Sequence, residues 1–167
     1  MNNAILLIGG NLGNRLENIF KTIEYIKERI GIITQSSSIY ESEPWGFNAE
    51  YCFLNVVVVV KTSLSPESLL EKIHEIEQLM GRTRICNGYA SRTMDIDILF
   101  FNEDVIDTPT LTVPHPRLHE RRFVLLPLVE IMPNKTHPVL QKNIKELLAE
   151  CSDYGLNHPC IFSHPTP

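Results

Sequence analysis

Five valines in a row, at positions 56–60, constrain this chain more than any other stretch. A branched Cβ loses rotamer freedom in a helix and packs well on a pleated surface. The run is far too short to span a membrane. An unbroken apolar run of this length bounded by polar residues reads as a buried strand, so residues 51–61 are expected to form a central strand of a sheet. Phe53, Leu54 and Asn55 stand at its mouth. A buried amide there needs hydrogen-bond partners. A flat heterocycle with amide-like edges would satisfy Asn55, and so would a neighbouring loop backbone.

Residues 92–101 read as a second strand, in which Met94, Ile96 and Ile98 point one way and Asp95 and Asp97 the other. Two carboxylates on one face of a half-buried strand repel each other and are costly to leave unpaired. A hard divalent cation answers both problems. Magnesium takes one or two protein carboxylates and fills its remaining positions with water and phosphate oxygens. The alternative is a strand face open to water, where alternating aspartates mean nothing. Two basic clusters favour the cation. Arg82, Arg84 and Arg92 stand in the polar loop before the strand, and His115 and Arg121 follow it. Cations beside carboxylates suit a metal-bound polyphosphate.

The remaining chain supplies the frame. Residues 4–8 make a short strand, and Gly9, Gly10 and Gly13 a turn expected to need positive φ; the turn matches neither a dinucleotide fingerprint nor a P-loop. Ile19, Ile23, Ile26 and Ile30 mark a helix stopped at Gly31. Residues 32–40 give a strand whose serines face water or an edge, and 41–50 a loop carrying Trp45, which either lids the core or lines a ligand pocket. Ser65 and Pro66 open a second helix, with Leu69, Leu70, Ile73, Ile76 and Met80 as its buried stripe. Glu77 lies just beyond that stripe, as a solvent or a ligand contact. Short extended pieces at 105–106 and 111–113 follow. Then come a helix containing Arg121 to Phe123, with its stripe at Leu126 and Val129, and a last helix over 143–150. Residues 151–167 are expected to be a loose tail.

Strand, helix, strand, strand, helix, strand is the ferredoxin-like split pattern: an α+β fold, a mostly antiparallel sheet with helices on one face, here with a small C-terminal hairpin-and-helix extension. A length of 167 residues suits a single domain over 1–167. A net charge of -5 argues against a nucleic-acid partner. The first residues lack the pattern of a signal peptide. The four cysteines show no metal or redox spacing and suit a reducing, cytoplasmic compartment, with Cys52 expected in the core. Small-molecule substrates, no membrane and a monomer are expected.

Three stretches together resemble one family. Ser91-Arg92-Thr93-Met94-Asp95-Ile96-Asp97-Ile98-Leu99 is similar to a Pro-Arg-Thr-Leu-Asp-Leu-Asp-Ile signature. Val113-Pro114-His115-Pro116-Arg117, followed by Arg121 and Phe123, is nearly as telling, and Gly9-Gly10-Asn11-Leu12-Gly13 looks like a Gly-Ser-Asn-Leu-Gly opening. The family is the 6-hydroxymethyl-7,8-dihydropterin pyrophosphokinases of folate biosynthesis, which move pyrophosphate from ATP to the pterin hydroxymethyl group and leave AMP. The resemblance implies that Asp95 and Asp97 hold two magnesium ions on the triphosphate. Arg82 and Arg92, on a mobile loop, would be the catalytic cations, with Arg84, His115 and Arg121 also at the phosphates. Leu70, His74, Glu77, Ile98 and Thr112 would line the nucleotide site. Phe53 and Phe123 would stack the pterin, while Asn55 and the segment with Ser42, Glu43, Trp45 and Gly46 would read its edge. The chain departs from the pattern at Glu43, Phe53, Tyr89 and Ser91, where the family often has proline, tyrosine, tryptophan and proline.

Two rival readings keep less of the pattern. One is a magnesium-dependent transferase with another acceptor, which needs the Asp pair but not Phe53, Asn55 and Phe123. The other is a binding module without chemistry, in which Asp95 is dispensable.

Overall fold

The valine run lies in the middle of a sheet, with both of its faces covered. The computed structural model describes residues 1–81 and 91–160. Strand β4 (Phe53–Thr62) contains the run and pairs from Leu54 to Thr62 with β1 (Asn2–Gly10). Its other edge carries β2 (Ile32–Ser36) and β3 (Tyr40–Ser42). Strand β5 (Asp95–Phe101) pairs outside β1, and every one of these pairings is antiparallel.

Side-chain alternation then divides the core. Val56, Val58 and Val60 pack with Ile19 and Ile26 of α1 (Arg15–Arg29) and with Leu69, Ile73 and Ile76 of α2 (Pro66–Leu79). Val57 and Val59 pack on the opposite face, with Val124, Leu125 and Leu128 of α3 (Arg122–Ile131) and Ile144 and Leu147 of α4 (Ile144–Glu150). Helices therefore cover both faces, not one. The C-terminal extension is the second layer, because the odd-numbered valines would otherwise face water. The stripe of α3 runs through Val124, Leu125 and Leu128 rather than Leu126 and Val129, which are only partly buried. The α2 stripe is as expected except at Leu70, which is half-buried.

Three further expectations change. The second strand breaks between β2 and β3, where Ser37 is fully buried and its hydroxyl accepts from the Val57 N–H at 3.0 Å. A side-chain oxygen there replaces a ladder carbonyl, so the serine turns inward. Cys52 is half-buried, whereas Cys151 is in the core. Residues 151–160 are no loose tail, since β8 (Asn157–Pro159) pairs with β3 and extends the sheet. The short pieces after β5 form a hairpin of β6 (Ile106–Asp107) and β7 (Thr112–Val113).

The glycines after the first strand also serve a different purpose. Gly9 and Gly10 end β1 rather than forming a turn. A Cβ on Gly10 would lie 2.2 Å from the Thr93 carbonyl oxygen, and one on Gly9 would lie 2.6 Å from Asn55 Oδ1. Close approach, not positive φ, crowds both: the backbone of Thr93 at Gly10 and the Asn55 side chain at Gly9. Only Gly13 of the three has the left-handed conformation, at φ +68°.

Candidate active site

The edge position of β5 builds the site. Asp95 and Asp97 project to the face opposite Ile96 and Ile98, as the alternation predicts, and both are half-buried. Two cavities meet at them. The first has a volume of about 460 Å³ and the second about 330 Å³, and Asp95, Asp97 and His115 line both.

The first cavity is aromatic and polar. Phe53 and Asn55 enter it from the mouth of β4, Ser42 and Glu43 from the end of β3, Trp45 from the loop beyond, and Phe123 from the start of α3. The Asn55 amide donates to Ser42 Oγ at 2.7 Å in a buried contact, so a side-chain hydroxyl rather than a loop backbone supports it. The Arg121 guanidinium carbon stands 4.8 Å from the centre of the Trp45 ring and 5.8 Å from that of Phe123. This cation against two aromatic faces joins the walls of the cavity. Gly46 is exposed and turns the chain with φ +81°, outside the lining.

The second cavity lies between α2 and the β6–β7 hairpin. Leu70, His74 and Glu77 come from α2, Ile98 from β5 and Thr112 from β7. Glu77 is 3% exposed and its Oε1 accepts from the Ile96 N–H at 3.0 Å. It is therefore neither a solvent contact nor a bystander: a buried carboxylate satisfies the backbone of an edge strand.

Cations face this carboxylate pair. Arg92 Nη1 lies 2.5 Å from Asp95 Oδ2. Arg121 lines the first cavity with Arg92, and burial draws its guanidinium below the ordinary value, with the Asp97 carboxylate opposing the shift. His115 follows a cis Val113–Pro114 bond, and its N–H donates to the Leu99 carbonyl at 3.0 Å. Burial, assisted by Arg121, pushes its imidazole down to about 4, with Asp95 opposing. The ring is neutral at pH 7, in keeping with Nδ1 accepting from the Arg117 N–H at 3.1 Å. Arg82 and Arg84 lie outside the described residues, as do Cys86 and Tyr89.

Sequence reasoning missed three contributors. Phe47 lines the first cavity and meets Phe53 edge-on at 6.0 Å between ring centres. Arg117 lines it too. Asn11 lines neither cavity yet is 1% exposed and holds the backbone of Arg92. The signals were a second aromatic two residues after Trp45, a third cation after Pro-His-Pro, and an asparagine among glycines.

The donor set fits a hard divalent cation. Among the described residues no group of three or more His, Cys, Asp and Glu is arranged to hold a metal. Two carboxylates next to three cationic side chains suit an ion that completes its shell with water and phosphate oxygens, not one enclosed by protein.

A model of the 7,8-dihydro-6-hydroxymethylpterin-pyrophosphokinase family matches residues 5–133. The chain is 43% identical over 150 residues to 2-amino-4-hydroxy-6-hydroxymethyldihydropteridine pyrophosphokinase of Aquifex aeolicus, covering 90% of this chain and 92% of that one. The protein of the same name from Bacillus subtilis is 44% identical over 133 residues, covering 78% and 79%. Among solved structures, wild-type HPPK-DHPS of Plasmodium falciparum superposes with a TM-score of 0.73 at 21% identity, covering 89% of this chain and 44% of that chain. The present chain thus spans less than half of that solved protein, and the likeness concerns the fold.

Proposed function

The chain belongs to the 7,8-dihydro-6-hydroxymethylpterin-pyrophosphokinase family, and we propose that its two cavities divide the substrates, the pterin in the first and ATP in the second. The activity is pyrophosphate transfer from ATP to the hydroxymethyl group of 6-hydroxymethyl-7,8-dihydropterin, a step of folate biosynthesis. The observation that carries the division is the shared wall: Asp95, Asp97 and His115 border both cavities. A triphosphate reaching from the second cavity would present its middle phosphorus where the two spaces join.

In this reading the pterin hydroxyl attacks the β-phosphorus of ATP. A bond forms from that oxygen to phosphorus, the bond from β-phosphorus to the oxygen bridging to the α-phosphate breaks, and AMP leaves while the hydroxyl gives up its proton. No side chain has to become a covalent intermediate. Phosphoryl-type transfer asks the protein for alignment and for positive charge where negative charge develops. Phe53 and Phe123 hold the ring by its faces, and Asn55, kept in place by Ser42, reads its amide-like edge. Glu43 and Trp45 close the outer wall. Leu70, His74, Ile98 and Thr112 shape the nucleotide end, and Glu77 fixes the edge of β5 behind the aspartates.

Asp95 and Asp97 would hold two magnesium ions, which when bound neutralise the phosphates and orient them for in-line attack. Arg92 and Arg121 supply the remaining positive charge, and His115, being neutral, contributes a hydrogen-bonding ring rather than a cation. Arg82 and Arg84 complete the phosphate grip in this reading. In this reading the working unit is a monomer. Its thiols Cys52, Cys151 and Cys160 suit the cytoplasm.

The test separates nucleotide products. Purified protein with ATP, magnesium and hydroxymethyl-dihydropterin yields AMP only when the pterin is present, and chelation abolishes it. ADP in place of AMP overturns the pyrophosphoryl step, and turnover unchanged by chelator overturns the metal.

A further inference from the structure

The segment after α4 lies beyond the part of the chain that the family model matches, residues 5–133. It nevertheless touches both walls of the first cavity. On one side β8 pairs with β3, placing Asn157 opposite Ser42, and the Glu43 N–H donates to the Leu156 carbonyl at 3.2 Å. Ser42 and Glu43 both line the cavity, and Trp45 follows them. On the other side Asp153 Oδ2 accepts from the Arg122 N–H at 2.9 Å. Arg122 stands between Arg121 and Phe123, which carry the opposite wall.

We infer that Asp153 is a positioning residue for the pterin. Through the backbone of Arg122 it sets where Arg121 and Phe123 stand, and through β8 the same segment sets the Ser42–Trp45 wall facing them. Both oxygens of the carboxylate are engaged, because Oδ1 accepts from the Gly155 N–H at 3.0 Å. That local bond directs the chain from Asp153 toward β8, while the Oδ2 bond anchors the turn to α3. A carboxylate accepting the first N–H of a helix also opposes the partial positive charge there. The span is short, four residues from Asp153 to Asn157, so the distance between the walls is defined by few torsions. The ATP cavity shares none of these contacts, since its lining comes from α2, β5, the hairpin and the loop after it.

The inference rests on the assignment of the first cavity to the pterin, and the experiment keeps the two apart. Steady-state titrations of each substrate are compared for the full-length wild type, Asp153→Ala, Asp153→Asn and Phe123→Ala. Asp153→Ala loses the acceptor and raises the pterin KM by about fivefold, the effect of one hydrogen bond, with a smaller rise in the ATP KM through Arg121. Asp153→Asn keeps one acceptor oxygen, for the Arg122 N–H, and loses the one for Gly155, so it recovers part of the wild-type pterin KM, a partial rescue that a general loss of stability would not produce. The emission of Trp45, the single tryptophan, shifts in Asp153→Ala and less in Asp153→Asn. If Phe123→Ala raises the pterin KM while Asp153→Ala leaves it alone, the positioning role is overturned and the cavity assignment stands. If Phe123→Ala spares the pterin KM and raises that of ATP, the assignment falls and the inference falls with it.

Discussion

Asn11 and Arg92 hold each other by two hydrogen bonds: Asn11 Oδ1 accepts from the Arg92 N–H at 2.9 Å, and the Asn11 N–H donates to the Arg92 carbonyl at 3.0 Å. The Asn11 amide nitrogen also donates to Tyr51 O at 3.1 Å and Ser91 Oγ at 3.0 Å. One buried side chain thus ties the end of β1 to the residues just before β5 and to the loop before β4.

Replacing Asn11 therefore acts on Arg92 at a distance. Asn11→Ala leaves a buried N–H without its acceptor and is expected to cost about 2 kcal/mol of stability. It also lets the Arg92 guanidinium drift from Asp95, so kcat falls by about tenfold or more. Denaturant unfolding and steady-state rates check this. Asn11→Asp keeps the oxygen acceptor and loses the two donors, so an Asp variant worse than Ala in kcat would contradict the anchoring role.

The aspartate pair predicts a metal-dependent loss. Asp95→Ala and Asp97→Asn should each lower turnover by about two to three orders of magnitude, the scale seen when preorganised electrostatic groups are removed. Calorimetric titration of magnesium in the presence of a non-hydrolysable ATP analogue should show weakened binding in both. A magnesium-supported rate near wild type in Asp95→Ala would remove the carboxylates from the mechanism.

Acid destabilises this protein through His115. Its folded pKa, about 4, lies below the ordinary 6.5 because of burial first and Arg121 second. As pH falls through 6.5 the unfolded chain takes up a proton that the folded ring refuses, so stability drops between pH 6.5 and about 4 and levels off below. His137, also lowered by burial, contributes with the same sign. Melting temperatures of the metal-free and nucleotide-free protein across that range, with His115→Asn beside wild type, provide the check. The variant should lose less on acidification; parallel curves would refute the assignment.

Gly31 makes a prediction away from the site. A Cβ there would lie 2.1 Å from the Lys61 carbonyl oxygen, a backbone atom that cannot swing aside. Gly31→Ala is expected to cost about 3 kcal/mol, the upper range for overpacking, with substrate KM values unchanged. Gly81→Ala meets no atom within 4 Å but sits at φ +82°, so it should cost only about 1 kcal/mol. A loss at Gly31→Ala no larger than that at Gly81→Ala would mean that the Lys61 backbone yields and that space does not govern Gly31.

How much was legible differs by element. The valine run, the two helices after β1 and β4, and the alternation that turns Asp95 and Asp97 away from Ile96 and Ile98 follow from periodicity, which is a property of neighbours along the chain. The inward turn of Ser37, unlike the exposure of Ser36, is not legible because a hydroxyl can face water or replace a ladder carbonyl, and only its packing neighbour decides. Gly9 and Gly10 were misread for a similar reason: a glycine needed for φ and one needed for space look alike until the approaching chain is placed. Cys52 and the α3 stripe depend on where the second helical layer lands.

For the site, residue types announced the chemistry, but not its partition. Aspartates two apart, clustered cations, an amide at a strand mouth and aromatics in loops are local features, and their chemical demands hold in any fold. That they surround two cavities with one shared wall is decided by the antiparallel order that brings β5 beside β1 and β1 beside β4. The anchoring of Arg92 by Asn11 and of α3 by Asp153 spans 81 and 31 residues of sequence. Local pattern carries no record of such pairings, because they form only when separate elements are packed to hydrogen-bonding distance.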